Sequence, residues 1–141
     1  MVAPGHKAGQ RTIQPAQLLD IFPTLLDLAG LPADAKQEGN SLLPLIKDVS
    51  SPWPNVALTS FGKGNYGIRS QYHRYIRYHD GSEELYDHRE DPHEWNNLAA
   101  SKDHEAILAD HRRHLPKKEE EILPGRSTGH KAYQAAGKLI K

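Results

Sequence analysis

The stretch from Gly81 to Leu98 leaves this chain little choice of local structure. Asp80-Gly81 supplies the positive φ that a two-residue hairpin turn requires. Glu84 to Asp87 then alternates polar and apolar, the pattern of a half-buried strand. Asp91-Pro92 imposes an extended residue followed by a fixed φ, which starts a second turn. Trp95 and Leu98 are placed to fold back as apolar anchors, and Asn96 and Asn97 to bond free backbone groups. A hairpin, a strand and a helix lead-in in so short a span predict an antiparallel sheet with a helix beside it.

The rest of the chain extends that pattern. Val56–Phe61, Tyr66–Ser70, Arg74–His79 and Glu84–His88 read as four strands with short connections, hence antiparallel neighbours. Tyr72, Tyr75, Tyr78 and Tyr86 suit a sheet with one wet face. Ser101 or Asp103 is expected to cap a helix running to about Leu115, with Ile107, Leu108 and Leu115 on its buried side and Pro116 as its stop. Before the sheet, Asp20 is placed as the N-cap of a helix over 20–29, with Pro23 in its first turn and Gly30 ending it. That helix is apolar around more than half its circumference, which calls for burial from more than one side or for self-association. A second short helix, 41–47, is expected after Ser41. Trp53 reads as a packed anchor in the linker that follows. The fold class is therefore α+β: a four-stranded antiparallel sheet packed by a C-terminal helix and preceded by helical segments. The divisions fall at 1–55, 56–116 and a tail at 117–141.

Composition narrows the function classes. The chain has 141 residues, with 18 Lys plus Arg against 18 Asp plus Glu, so no net field recruits nucleic acid or an anionic membrane. It contains no cysteine, which removes disulfides, thiolate zinc sites and a thiol nucleophile. No apolar run approaches the ~20 residues needed to cross a bilayer. Val2-Ala3-Pro4-Gly5 is neither a signal peptide nor a helix start, and reads as the end of a strand cut from something larger.

Four blocks in order carry a family resemblance. Glu84-Leu85-Tyr86-Asp87, followed by Asp91-Pro92-His93-Glu94-Trp95-Asn96-Asn97-Leu98, resembles the closing E-L-Y-D and D-P-x-E-x-x-N-L segment of the sulfatases. Leu19 to Leu31 resembles their D-x-x-P-T-L-L-x-L-A-G-L segment, and Gly39 to Leu45 their G-x-S-L-x-P-L segment. Tyr66–Ser70 with Tyr75–Tyr78 resembles the strand pair that precedes E-L-Y-D. Together the blocks run from about Val2 to His114, and the subgroup they most resemble is the iduronate-2-sulfatase-like branch. The resemblance implies formylglycine, made from the cysteine of a C-x-P-S-R motif, and calcium in a full-length parent. Those motifs lie upstream of the matching segment and none is present here. It further implies an N-terminal sulfatase subdomain as partner, with the 1–55 helices as a remnant of that α/β subdomain. A sulfated carbohydrate would be the substrate, and export or a lysosome the parent's compartment.

Lys63, Asn65 and Tyr66, in the Gly62-Lys63-Gly64-Asn65-Tyr66 loop, are the candidate substrate-binding residues. Flanking glycines admit close backbone approach, and a lysine, an amide and a phenol supply one cation and several hydrogen bonds. A sulfated uronic acid offers sulfate, carboxylate and hydroxyls to meet them; the plain alternative is an ordinary hairpin loop. No catalytic residue and no metal ligand is assigned. His104, His111 and His114, with Asp110, have spacing that a zinc site can use, but the expected reading is a solvated helix face. Glu83 and Glu84 point to opposite strand faces and cannot share a proton. Arg69 and Arg77 are read as sheet-holding cations with Glu84 and Asp87 as partners. Two functions follow: the C-terminal subdomain of a sulfatase, inactive alone, or a non-catalytic binding or assembly module for anionic sugars or a partner chain.

Overall fold

The computed structural model describes residues 3–118. A 3-10 turn, Leu18–Asp20, leads into α1 (Ile21–Leu28), and α2 (Leu43–Lys47) follows. The strands are β1 (Ala57–Ser60), β2 (Tyr66–Arg69), β3 (His73–Arg77) and β4 (Glu83–Asp87). A second 3-10 turn, Lys102–His104, opens α3 (Glu105–Arg112). The sheet is antiparallel throughout, in the order β1-β2-β3-β4. Among the described residues no helix is long and apolar enough to cross a membrane. From residue 119 onward, the expected tail lies outside the described residues.

Register explains where the core sits. Leu58, Ile68, Tyr75 and Leu85 are partners in one row across all four strands. Side chains alternate across a pleated sheet, so this row shares one face. Ile68, Tyr75 and Leu85 are fully buried there, and Leu108 of α3 closes over them with Leu98, Ile107 and Leu115 around the margin. Burying each large apolar side chain contributes about 2 kcal/mol. Polar contacts fix the helix across the sheet. Arg112 donates through Nε and Nη2 to Glu83 of β4, and the His111 ring meets Ser70 Oγ at 3.0 Å.

The Gly81–Leu98 stretch behaves largely as its sequence dictates. Gly81 sits at φ 87 in the β3–β4 turn. Asn97 is the key polar residue beyond it: its Oδ1 accepts from Leu85 N at 3.0 Å and Ala99 N at 2.9 Å, and its Nδ2 donates to Glu83 O. Leu98 N also donates to Leu85 O. One amide side chain thus stands in for a fifth strand along β4. Trp95 differs from expectation: it is 81% exposed and stacks on His93 instead of anchoring the turn.

Before the sheet, Asp20 holds the N-cap position of α1, as expected, but its side chain makes no capping bond to that helix. Its own backbone is already helical (φ −75, ψ −15), so its carboxylate is unavailable to the turn ahead. Instead it accepts from Gln17 N at 2.9 Å and from Asn40 N at 2.8 Å. Thr24, also buried, donates to Asp20 O and accepts from Leu42 N. These bonds tie α1 to the segment leading into α2. Gly39 packs so closely that a Cβ there would lie 2.0 Å from Leu19 O. Trp53 is an anchor as expected, half-buried with its indole N–H donating to Pro15 O at 2.8 Å.

Candidate functional site

Two hairpin turns meet at one end of the sheet, and they form the candidate site. The β1–β2 loop contains Gly62 at φ 67 and Gly64 at φ 78, a conformation that side-chain-bearing residues rarely adopt. Gly64 also lies where a Cβ would be 3.1 Å from His79 Cα, in the β3–β4 turn. Asn65 bonds both turns. Its Nδ2 donates to Lys63 O at 3.2 Å, its Oδ1 accepts from His79 N at 3.2 Å, and its carbonyl accepts from Phe61 N. Opposite, Asp80 closes the second turn by accepting from Ser82 N and Oγ. Lys63 therefore stands on a braced loop.

The three sequence-derived candidates have different settings. Lys63 and Asn65 share the loop, with Asn65 bracing the backbone that presents Lys63. Tyr66 begins β2 on the strand face of Ile68, and together with Asn65 and Ile68 it lines the cavity at that strand. The other sheet face carries Ala57, Thr59, Gly67, Arg69, Arg74 and Ile76. It forms a concave cavity of about 570 Å³, reaching Phe61, Asn65, Tyr78 and His88.

An ionic cluster that sequence reasoning missed lies beside this cavity. Glu94 receives Arg74 Nη1 at 3.1–3.2 Å and meets His88 Nε2 at 2.7 Å. It does so from φ 60, the left-handed region, so a strained backbone aims this carboxylate. Its sequence signal was the D-P-x-E spacing. Arg69 is not paired as expected: its Nη1 is buried without a hydrogen bond, and burial lowers its pKa, opposed by the charge of Glu94. Arg77 approaches Glu83 at 4.0 Å instead of Glu84 or Asp87. Asp87 is held by Arg89, whose hydrogen bonds pull its pKa well below the usual carboxylate range.

The carboxylate pair behaves as alternation requires. Glu83 faces α3, and its hydrogen bonds from Arg112 pull its pKa down to about 2. Tyr75, bonded to the same carboxylate, is pushed up to about 12, chiefly by burial. Glu84 faces away, beside Tyr86, whose pKa burial likewise raises to about 12. The histidine face of α3 is corrected: His111 is 3% exposed, and its two ring nitrogens meet Ile107 O and Ser70 Oγ. Among the described residues no group of three or more His, Cys, Asp or Glu is placed to hold a metal ion. The chain has no cysteine to convert to formylglycine. These residues do not fit either group, and no chemical step is derived through them.

Comparison with known proteins gives this geometry a context. The family described as N-sulphoglucosamine sulphohydrolase, C-terminal, matches residues 1–121. A sulfatase of Formosa agariphila is 40% identical over 96 residues, covering 68% of this chain and 19% of its own length. Arylsulfatase K of Homo sapiens is 36% identical over 117 residues, covering 70% and 21%. Among solved structures, a 2-O GAG sulfatase superposes with TM-score 0.60 at 31% identity, covering 78% of this chain and 26% of that one. The chain spans about a fifth of the length of the curated relatives it matches.

Proposed function

Since this chain belongs to the N-sulphoglucosamine sulphohydrolase C-terminal family of sulfatases, we propose that it completes a sulfuric ester hydrolase and is inactive alone. The observation that carries this reading is the braced pair of hairpin turns. Asn65 and Gly64 lock the β1–β2 loop against His79, so Lys63 is presented at a fixed rim. A rigidly placed cation on a loop is what recognition of an anionic sugar needs. Lys63, Asn65 and Tyr66 shape that rim. No described residue of this chain would hold the nucleophile or the metal; formylglycine and calcium would be supplied by the catalytic portion.

The substrate class is a 2-O-sulfated uronic acid within a glycosaminoglycan, in keeping with the iduronate-2-sulfatase-like branch. Support comes from the similarity to a 2-O GAG sulfatase. In a glycosaminoglycan, C2 of the amino sugar bears nitrogen, so a 2-O ester lies on the uronic acid. Such a substrate brings a carboxylate as well as a sulfate. Polymers of this kind are met outside the cytosol, which supports an exported or lysosomal setting for the parent.

The test uses residues 3–118 alone and as a replacement for the matching segment of the Formosa agariphila sulfatase. Both are assayed with an aryl sulfate and with a 2-O-sulfated disaccharide in the presence of calcium. Activity is expected in the fusion only. Lys63→Ala in the fusion is expected to raise KM for the disaccharide roughly tenfold, the size of one lost charge-assisted hydrogen bond, with little change on the aryl sulfate. Turnover by residues 3–118 alone would overturn the reading. An inactive fusion with formylglycine in place would favour the binding module.

A further inference from the structure

The cavity face of the sheet carries an unbalanced pair of charges. Arg69 of β2 and Arg74 of β3 are register partners, and both line the cavity of about 570 Å³. Residues directly opposite on neighbouring strands lie about 5 Å apart at Cβ, where like charges repel. Glu94 neutralises one of the two: its carboxylate accepts from Arg74 Nη1 and also meets His88. Arg69 keeps a buried Nη1 with no hydrogen bond, which is unfavourable until a further acceptor arrives. The other carboxylate on this face, Glu84, is engaged by the phenols of Tyr78 and Tyr86 and lies outside the cavity lining. Glu94 itself, at φ 60, is the one non-glycine residue with positive φ among the described residues. Strain of this kind gathers at ligand clamps, where the surroundings hold a group in place. A like-charge pair, an unmet donor and a strained counter-ion thus converge on one cavity.

We propose, resting on the sulfatase reading, that Arg69 and Arg74 bind an oxoanion, carboxylate or sulfate, on a sugar of the glycan other than the one held at the Lys63 loop. A guanidinium offers paired N–H groups in the plane that such an anion accepts. Arg69 lies four residues beyond Asn65, about 13 Å along an extended strand, so the two cationic positions serve different sugars. Between them Gly67, with Ala57 and Ile76 beside it, gives the cavity a small, apolar floor that suits the C–H face of a sugar ring.

The full 141-residue chain is titrated by calorimetry with sodium sulfate, with a 2-O-sulfated disaccharide and with the tetrasaccharide of the same repeat. The tetrasaccharide is expected to bind roughly tenfold more tightly than the disaccharide, the gain from one further charge-assisted contact. Arg69→Met keeps the apolar stem and is expected to abolish that gain while the melting temperature holds or rises, because the repulsion and the unmet donor go with the charge. Arg113→Gln, which removes an exposed charge on the last turn of α3, is expected to leave the gain intact. A lower melting temperature in Arg69→Met with the gain retained makes Arg69 a structural counter-charge to Glu94 and overturns the proposal. If Arg69→Met loses both, Arg69→Lys decides, since it keeps the charge without the fork: a parental melting temperature without the gain upholds the site, and a retained gain overturns it. Equal loss in Arg113→Gln, or sodium sulfate binding as tightly as the tetrasaccharide, also overturns it. The sulfatase reading is tested apart, by the fusion on an aryl sulfate, which has no second sugar. An inactive, correctly modified fusion beside Arg69-dependent binding overturns that reading and leaves the site standing.

Discussion

The sheet with α3 and the helical segment before it are built on opposite principles. In the first, apolar side chains face one another: Ile68, Tyr75, Leu85 and Leu108 are sealed from water. In the second, around α1, polar groups are buried and apolar ones face out. Asp20 and Thr24 are the sealed residues of the Leu18–Leu28 region, while Ile21, Phe22 and Leu25 are exposed. Burial of apolar surface drives folding without direction, whereas hydrogen bonds fix geometry and contribute about 1 kcal/mol net each. One half thus has its own source of stability. The other has a polar template for its shape and an exposed apolar face.

The largest effects should separate the two halves. Leu108→Ala removes the α3 side of the core and is expected to cost about 3 kcal/mol, because the sheet cannot collapse into the space. Urea unfolding followed by near-ultraviolet circular dichroism measures this, and a loss below about 1 kcal/mol would mean that α3 is not the lid of the core. Gly39→Ala strikes the other half. Its Cβ would lie 2.0 Å from Leu19 O, in backbone that has no side chain to swing aside. Overpacking of this kind costs about 1–3 kcal/mol, and here it should loosen residues 17–42 alone. Hydrogen exchange is expected to speed up at Asn40 and Leu42, whose amides bond Asp20 and Thr24, and to stay unchanged at Leu85. Equal acceleration at both sites would show one cooperative unit and dissolve the contrast.

What could be read from the sequence follows the same division. Alternation and turn chemistry placed all four strands, since the pleat forces period-2 patterning wherever one face is buried. The turn at Gly81 followed from the need for positive φ, and the Gly62–Gly64 loop from its flanking glycines. Asp20 stands at the N-cap position as read, but it does not cap through its side chain, because its two oxygens are taken by Gln17 N and by Asn40 N, twenty residues away. Trp95 was misassigned for a related reason: Leu98 and Asn97 already fasten that turn to β4. The candidate loop was visible in its glycines, but the bracing by His79 was not, because it depends on which hairpins share an end of the sheet. Arg69, Arg74 and His88 came together with Glu94 only through register.

Smaller effects sharpen the comparison through pH. Glu83→Gln keeps the shape but removes the charge that Arg112 binds, and should cost about 1–2 kcal/mol, since the Arg112 side chain is partly solvated. The linkage has a definite sign. Arg112 depresses the folded-state pKa of Glu83 from 4.5 to about 2, so its stabilisation is full above pH 4.5 and disappears as pH falls toward 2. Urea midpoints of the parent should therefore drop across that window, and those of Glu83→Gln should drop less. A parallel fall in both would assign the acid loss to other carboxylates, Asp87 first among them.

His73 gives the finest test. Burial holds its pKa below the ordinary 6.5, and the nearby carboxylate of Asp87 opposes that shift at 3.5 Å. His111, with its ring 5.9 Å away, along with Arg89 and His104, works in the same direction as burial. On acidification the unfolded chain binds its proton first, so stability is whole above pH 6.5 and declines as pH falls below it. The decline belongs to the sheet half alone. His73→Gln should flatten the urea midpoint between pH 7 and pH 5 while leaving the Glu83 window in place. Hydrogen exchange at Asn40 and Leu42 should be the same at both pH values. If those amides speed up together with Leu85, the two halves share one stability and the polar template of Asp20 is part of the same core.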